Sequence, residues 1–422
     1  MVNHGPPIIT ISLAVALVTL LVLPVPGLGQ EEAVVASDQC VACHSDLEVL
    51  PHDYIVEDVH MKAGLGCAGC HGGDPMSDDD EVAMSPKAGY VGAPAKKDIS
   101  KFCGKCHSDI EFMRRYQPRI PTDQASQYAT SVHGIRLARG DENVADCTSC
   151  HTAHGILAVK DSRSSVYALN VPATCNKCHG DAKLMSGYGI RTDQYEKYAQ
   201  SVHGKALLEN QDVGAPACND CHGNHGAMPP GITSVRQVCG HCHVNNMQFF
   251  TASKMGAAFD REELHGCEEC HGNHDVKRTA DDMVGIGDAA VCIDCHDEGD
   301  KGYETAGKIS GLLTALTTVY DQAETKREEV SRIGMDDEEI GFVLQEAHQS
   351  LIQARTLVHT FDDVKVGVQT SAGTAKAQEA LDLAIEQIQE HGVRRRGFGL
   401  ATIFITILVI ALFLKIRQLP DS

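Results

Sequence analysis

The sequence predicts a mainly α-helical chain with much irregular loop: an array of small repeated modules, then a helical hairpin or small bundle, then one transmembrane helix. Three observations predict it. The pattern Cys-x-x-Cys-His recurs nine times between Cys40 and His296 and uses all 18 cysteines. From residue 303 to 391 there is no cysteine, and apolar residues recur with a helical period. Phe398 to Leu414 is an apolar run without a charge.

Residues 1–29 read as an export signal. Ile8 to Leu23 is apolar, Pro24 and Pro26 break the run, and Gly27-Leu28-Gly29 offers small residues for cleavage. No Lys or Arg precedes the run, so an uncleaved anchor is the alternative. Either way the chain is expected outside the cytoplasm.

Residues 30–300 hold the nine motifs. They begin at Cys40, Cys67, Cys103, Cys147, Cys175, Cys218, Cys239, Cys267 and Cys292. Their second cysteines are Cys43, Cys70, Cys106, Cys150, Cys178, Cys221, Cys242, Cys270 and Cys295, and their histidines His44, His71, His107, His151, His179, His222, His243, His271 and His296. This spacing is the attachment site of a c-type haem. Two thiols three residues apart add to the two vinyl groups of one porphyrin, and the adjoining His reaches the iron. Disulfides would not need a His after every second Cys, and zinc sites join separated half-motifs. Nine covalent haems are therefore expected. At about 29 residues per motif the haems themselves must form much of the core. The absence of Trp, 5% aromatic residues and 39 glycines agree with that.

Thirteen further histidines fall into a pattern. Tyr128-Ala-Thr-Ser-Val-His133-Gly precedes Cys147, Tyr198-Ala-Gln-Ser-Val-His203-Gly precedes Cys218, Leu264-His265-Gly precedes Cys267, and Val59-His60 precedes Cys67. Three motifs continue to a His three residues on: His154, His225 and His274. The unit is a motif, a spacer His, a second motif and a trailing His, repeated four times. The first copy has Gly72-Gly73 in the trailing region, and the ninth motif stands alone. Such repetition implies a quasi-linear array of two-haem modules.

Each iron needs a second ligand, and neutral imidazole is the usual choice for a low-spin relay. His60, His133, His154, His203, His225, His265 and His274 are seven distal candidates, with the trailing ones reaching a neighbouring haem. Two more ligands are sought among His52, His241, His348, His359 and His391. Eleven Met leave a Met-ligated iron open as an alternative, but none stands in the repeat in the way the histidines do.

Residues 303–392 are read as a helical stalk or bundle. Ile309, Leu312, Leu313, Leu316, Val319, Tyr320 and Ala323 form one apolar stripe. Gly334 ends that helix, and Asp336 or Asp337 caps the next. Ile340, Val343, Leu344, Ala347, Leu351, Ala354 and Val358 form a second stripe. His348 and His359 lie about 80° and 100° from Ile340, at its edge. The helix is expected to supply at least one iron ligand, with His359 preferred for its apolar setting beside Val358 and Phe361. A third helix, from about Thr374, is expected to stop at Gly392. Residues 397–416 then form the transmembrane helix, long enough at about 1.5 Å per residue to span a bilayer core. Residues 417–422 are the cytoplasmic tail.

The net charge of −21 argues against nucleic acid as a partner and suits a soluble surface meeting basic redox partners.

With its paired motifs, Ser-Val-His-Gly elements and trailing histidines, residues 38 to 300 resemble exported multihaem cytochromes c. These include membrane-anchored electron-transfer cytochromes and, more loosely, the octahaem oxidoreductases related to hydroxylamine oxidoreductase and pentahaem nitrite reductase. The first likeness implies a relay between a quinone-linked membrane partner and a periplasmic or extracellular acceptor. The protein would be C-terminally anchored on the extracytoplasmic face of the membrane. The second implies an oxidoreductase acting on a small nitrogen or sulfur compound at one five-coordinate haem. No motif carries the Lys of the catalytic haem in pentahaem nitrite reductases, and nine sites depart from eight. No catalytic residue is assigned, and every iron is expected to have two protein ligands.

Overall fold

A computed structural model describes residues 38–230 and 235–418. The expected export signal and the last four residues of the expected tail lie outside them. The described residues form α-helices, short tighter turns and loops, with no strand among them.

Seven of the nine motifs coincide with short α-helices: α1 (Gln39–Asp46), α2 (Cys67–His71), α3 (Ile99–His107), α4 (Cys147–His151), α5 (Val171–His179), α6 (Cys218–His222) and α7 (Cys267–His271). The seventh motif starts in helix Val235–Gly240 and the ninth sits in a 3-10 turn, Val291–Asp294. Short polar helices of this kind do not persist alone. Side-chain caps help: Asp38 accepts from the Cys40 N–H at 2.9 Å, and Asp146 with Ser149 forms a capping box on α4. The second helix of each module stops at its His because the next residue turns left-handed. That residue is Gly72, Thr152, Gly223 or Gly272, with φ between 67° and 80°. Glycine makes the turn without strain; Thr152 holds it while its hydroxyl donates to the His154 carbonyl at 2.9 Å.

Within each module the two motif segments touch. α1 packs on α2, α3 on α4, α5 on α6, and Val235–Gly240 on α7. The sulfurs of Cys103 and Cys147 lie close together, as do those of Cys175 and Cys218 and of Cys239 and Cys267. The expected two-motif module is thus a spatial unit.

By compactness the chain divides into two units. Of the described residues, one comprises those up to 126 together with 136–165; the other comprises 127–135 and those from 166 onward. The dividing line therefore runs through the motif array. The helical segment shares a unit with the third and fourth modules.

That segment is three long helices: α8 (Lys301–Arg332), α9 (Glu338–Leu357) and α10 (Asp363–Arg417). α10 packs against both others. Ile309, Leu313 and Leu316 of α8 meet Ala347, Leu351 and Ala354 of α9 and Val366 and Ala377 of α10 in one core. Ala323, Val330, Ile340, Leu344, Ala380 and Ala384 form a second. The expected stripes thus face inward. α10 contributes small residues, and a β-carbon at Gly373 would press on Leu316 and Ser350. Gly334 (φ 72°) ends the turn after α8, and Asp337 is the N-cap of α9.

One boundary differs from expectation. α10 starts at Asp363, capped by Asp362, and runs through Gly392 without interruption into the apolar segment. A single Gly costs only about 1 kcal/mol within a helix, which flanking good helix formers readily offset. Phe398 to Ile416 lies exposed on all sides.

Candidate haem sites

Several motif histidines face a second imidazole. His107 faces His60 with ring centres 6.0 Å apart, His71 faces His154 at 6.0 Å, and His179 faces His133 at 6.2 Å. His243 faces His203 at 6.3 Å, His222 faces His274 at 5.9 Å, and His271 faces His359 at 6.1 Å. These spacings exceed direct stacking and fit a metal held between two rings. Metal–imidazole bonds of about 2.0 Å on each side, plus about 1.1 Å from each nitrogen to its ring centre, add to about 6.2 Å. The residues present therefore fit iron between paired imidazoles.

The pairs obey a register. The spacer His of one module faces the first motif His of the next: His60 with His107, His133 with His179, His203 with His243. The trailing His of one module faces the second motif His of the one before: His154 with His71, His274 with His222. Ligand candidates thus run in both directions between neighbours. His359 takes the trailing position for His271, although it comes from the turn between α9 and α10.

The main chain enforces this exchange. The N–H groups of Val59, Val132 and Val202 donate to the carbonyls of Ile156, Ala227 and Val276 at 2.9, 3.1 and 2.9 Å. Each donor precedes a spacer His, and each acceptor lies two residues beyond a trailing His. One hydrogen bond therefore joins the two ligand-bearing segments.

Several rings are oriented through Nδ1, which leaves Nε2 for a metal. His71 Nδ1 contacts the Gly92 carbonyl at 3.0 Å, and His359 Nδ1 the Thr356 carbonyl at 3.0 Å. His60 Nδ1 meets Asp58 at 3.1 Å and His296 Nδ1 meets Asp300 at 3.2 Å. Burial, reinforced by the facing ring, lowers the pKa of His133, His154, His203, His271 and His274, and burial alone is the main cause for His359. Each favours the neutral, metal-binding form.

Among the described residues His52, His241, His265, His348 and His391 face no motif His. His348 lies on Tyr320 of the bundle with ring centres 5.8 Å apart. His52 and His241 are exposed, and His391 lies on α10 near the apolar segment. His265 Nδ1 is bonded to Glu268 beside its own motif. His151 and His225 both have interaction partners. Among the described residues His44 and His296 face no second imidazole. His296 instead lies over Gly302, where a β-carbon would collide with its ring.

Sequence reasoning misassigned one position. In 128–134, Ser131 Oγ donates to the Tyr128 carbonyl at 2.7 Å and accepts the Gly134 N–H at 2.9 Å. In 198–204, Ser201 does the same with Tyr198 and Gly204 at 2.6 and 3.0 Å. The fourth module repeats the geometry with Ser253, Phe250 and Gly256, at 2.6 and 2.9 Å. Its central residue is Met255. The counterpart of His133 and His203 is therefore Met255, not His265, and a Met does stand in the repeat. The pattern Tyr/Phe-x-x-Ser-x-His/Met-Gly would have found it. Its glycine is obligatory, because a β-carbon at Gly134, Gly204 or Gly256 would collide with the carbonyl of Tyr128, Tyr198 or Phe250.

Repeated motif helices, paired imidazoles and helical loops without strands define a multihaem c-type cytochrome, and this chain is one. Residues 32–227 match the family model described as outer membrane cytochrome MtrC/MtrF-like, domains II/IV. The chain is 29% identical over 160 residues to the C-type polyheme cytochrome OmcB of Geobacter sulfurreducens, covering 34% of this chain and 19% of that protein. It is 24% identical over 161 residues to OmcC of the same organism, with the same coverage. The matched stretch thus spans about a fifth of these curated relatives. No solved structure matches the chain.

Proposed function

We propose that this protein is a membrane-anchored electron relay that binds nine c-type haems, one at each Cys-x-x-Cys-His motif. The observation that carries the reading is the set of six imidazole pairs spaced 5.9 to 6.3 Å apart. Two fixed imidazoles keep an iron low-spin in both oxidation states, so little rearrangement accompanies electron exchange. The bound haems supply the one-electron couples. The chain's part is to hold the rings, keep them neutral and space the sites. In this reading His60, His133, His154, His203, His274 and His359 are distal ligands.

Proximity of thiols supports a linear order. Cys40 lies near Cys67 within the first module, Cys70 near Cys106 across the next junction, Cys221 near Cys242, and Cys270 near Cys292 and Cys295. Phe398 to Ile416 would cross the membrane, with the motifs on the extracytoplasmic side. From Asp363 to Gly397, α10 rises about 50 Å, so the haem at His271 stands well clear of the bilayer even if the span is tilted. A quinone-linked partner would then need a redox-active part outside the membrane. The onward acceptor is periplasmic or extracellular.

The test is spectroscopic. Intact mass should show nine haems, and the iron sites with paired imidazoles should be low-spin and inert to cyanide and nitrite. A mature protein with fewer haems would remove the count; high-spin iron at the paired sites would remove the relay. A second reading, an oxidoreductase for a small nitrogen or sulfur compound, rests on His44, which faces no imidazole among the described residues. A high-spin signal that shifts with nitrite or hydroxylamine and disappears in His44→Ala would favour it.

A further inference from the structure

We infer that Met255 is the distal ligand of the haem at His296, making the ninth site a His/Met haem of higher potential than its neighbours. The inference rests on the proposed ligand role of the paired histidines.

Two independent placements support it. First, Met255 occupies a ligand position. The segment 250–256 reproduces the hydrogen bonds and the glycine close approach of 128–134 and 198–204. In all three the Ser and Gly are buried and the central residue is half-buried. The surroundings also correspond. The earlier segments lie against the residue two beyond a trailing His. Here Phe250 packs against Phe361, two residues beyond His359, with ring centres 6.2 Å apart.

Second, the ninth motif occupies a receiving position. Spacer histidines serve the first motif of the following module. Cys270 of the eighth motif lies in the neighbourhood of Cys292 and Cys295, as Cys70 does of Cys106 and Cys221 of Cys242, where the helices of residues 218–222 and 235–240 also pack together. His296 therefore stands where His107 and His243 stand. Its Nδ1 is held by Asp300, which leaves Nε2 for iron. Stepping the register once more pairs position 255 with His296.

The chemistry follows from the side chain. A thioether is a softer, weaker donor than imidazole, so it favours ferrous over ferric iron and raises the potential. It also takes up no proton, so acid does not displace it as it does a distal His. The array would then hold its most readily reduced site beside the helical bundle, where electrons would pool.

The experiment uses the full-length, haem-loaded protein in detergent, with redox titration followed optically and by electron paramagnetic resonance. Wild type should show one haem titrating above the rest, and a ferric sulfur-to-iron charge-transfer band of one haem's intensity. Met255→His should abolish the band and bring that haem down into the range of the others while all remain low-spin. Met255→Ala should add one high-spin haem. His203→Ala should also add one, but leave the band in place. Absence of the band in wild type, or a new high-spin haem from His265→Ala and none from Met255→Ala, would overturn the inference. No new high-spin haem from either Met255→Ala or His203→Ala would overturn the ligand reading of the pairs as well.

Discussion

His359, on the turn that leads into α10, faces His271 of the eighth motif with ring centres 6.1 Å apart and planes 27° from parallel. A residue next to the helical bundle thus faces a histidine of the motif array. The turn is built for it: Phe361 adopts a left-handed φ of 49°, and Asp362 caps α10 by accepting from Val364 and Lys365 at 3.1 and 3.2 Å. With His359 as the proposed ligand, the bundle would be coupled to the array through that ligand as well as through packing.

His359→Ala should convert one low-spin haem to high-spin, while His348→Ala should leave every haem unchanged. Magnetic circular dichroism of the oxidised protein reads both. An unchanged spectrum in His359→Ala would reduce the bundle to a support.

Ring orientation divides the pairs into two groups. At second-motif sites the planes lie 11°, 27° and 29° apart; at first-motif sites they lie 40°, 64° and 85° apart. Near-parallel axial imidazoles give ferric haem a rhombic resonance, and crossed ones a broad signal at high g. Both should be present, and His274→Ala should remove a rhombic component only.

The spacer element should be intolerant at its glycine. Gly204→Ala drives a methyl into the Tyr198 carbonyl and should cost more than Ser201→Ala, which removes a cap worth about 1 kcal/mol. Denaturation of the haem-loaded variants orders them. The reverse ranking would mean that the close approach relaxes freely.

A chain ended at Gln389 keeps both bundle cores, the last member of which is Ala384. It should be exported, haem-loaded and soluble. Membrane fractionation checks this, and retention in the membrane would assign the anchor to the N-terminal segment. Within the bundle, Leu316→Ala should cost about 2–5 kcal/mol, since the side chain is fully buried and its neighbours are already small.

Covalent chemistry and periodicity were legible in the sequence by themselves. A thioether site needs its residues within one helical turn, so each Cys-x-x-Cys-His is complete locally. The helical stripes, the Gly334 turn and the apolar run at 398–414 are likewise local consequences of side-chain spacing. What required the tertiary structure was everything that joins distant segments. His107 and His60 are 47 residues apart, and His271 and His359 are 88 apart. No local propensity says which module lends a ligand to which. The register came from main-chain bonds such as Val202 to Val276, which depend on how loops pack. The same held for Met255: its sequence neighbours resemble the His133 segment only weakly, and the resemblance emerged once Ser253 and Gly256 were seen making the same contacts. Helix continuity through Gly392 was decided there too, because an isolated glycine costs too little to break a helix that packing has already fixed.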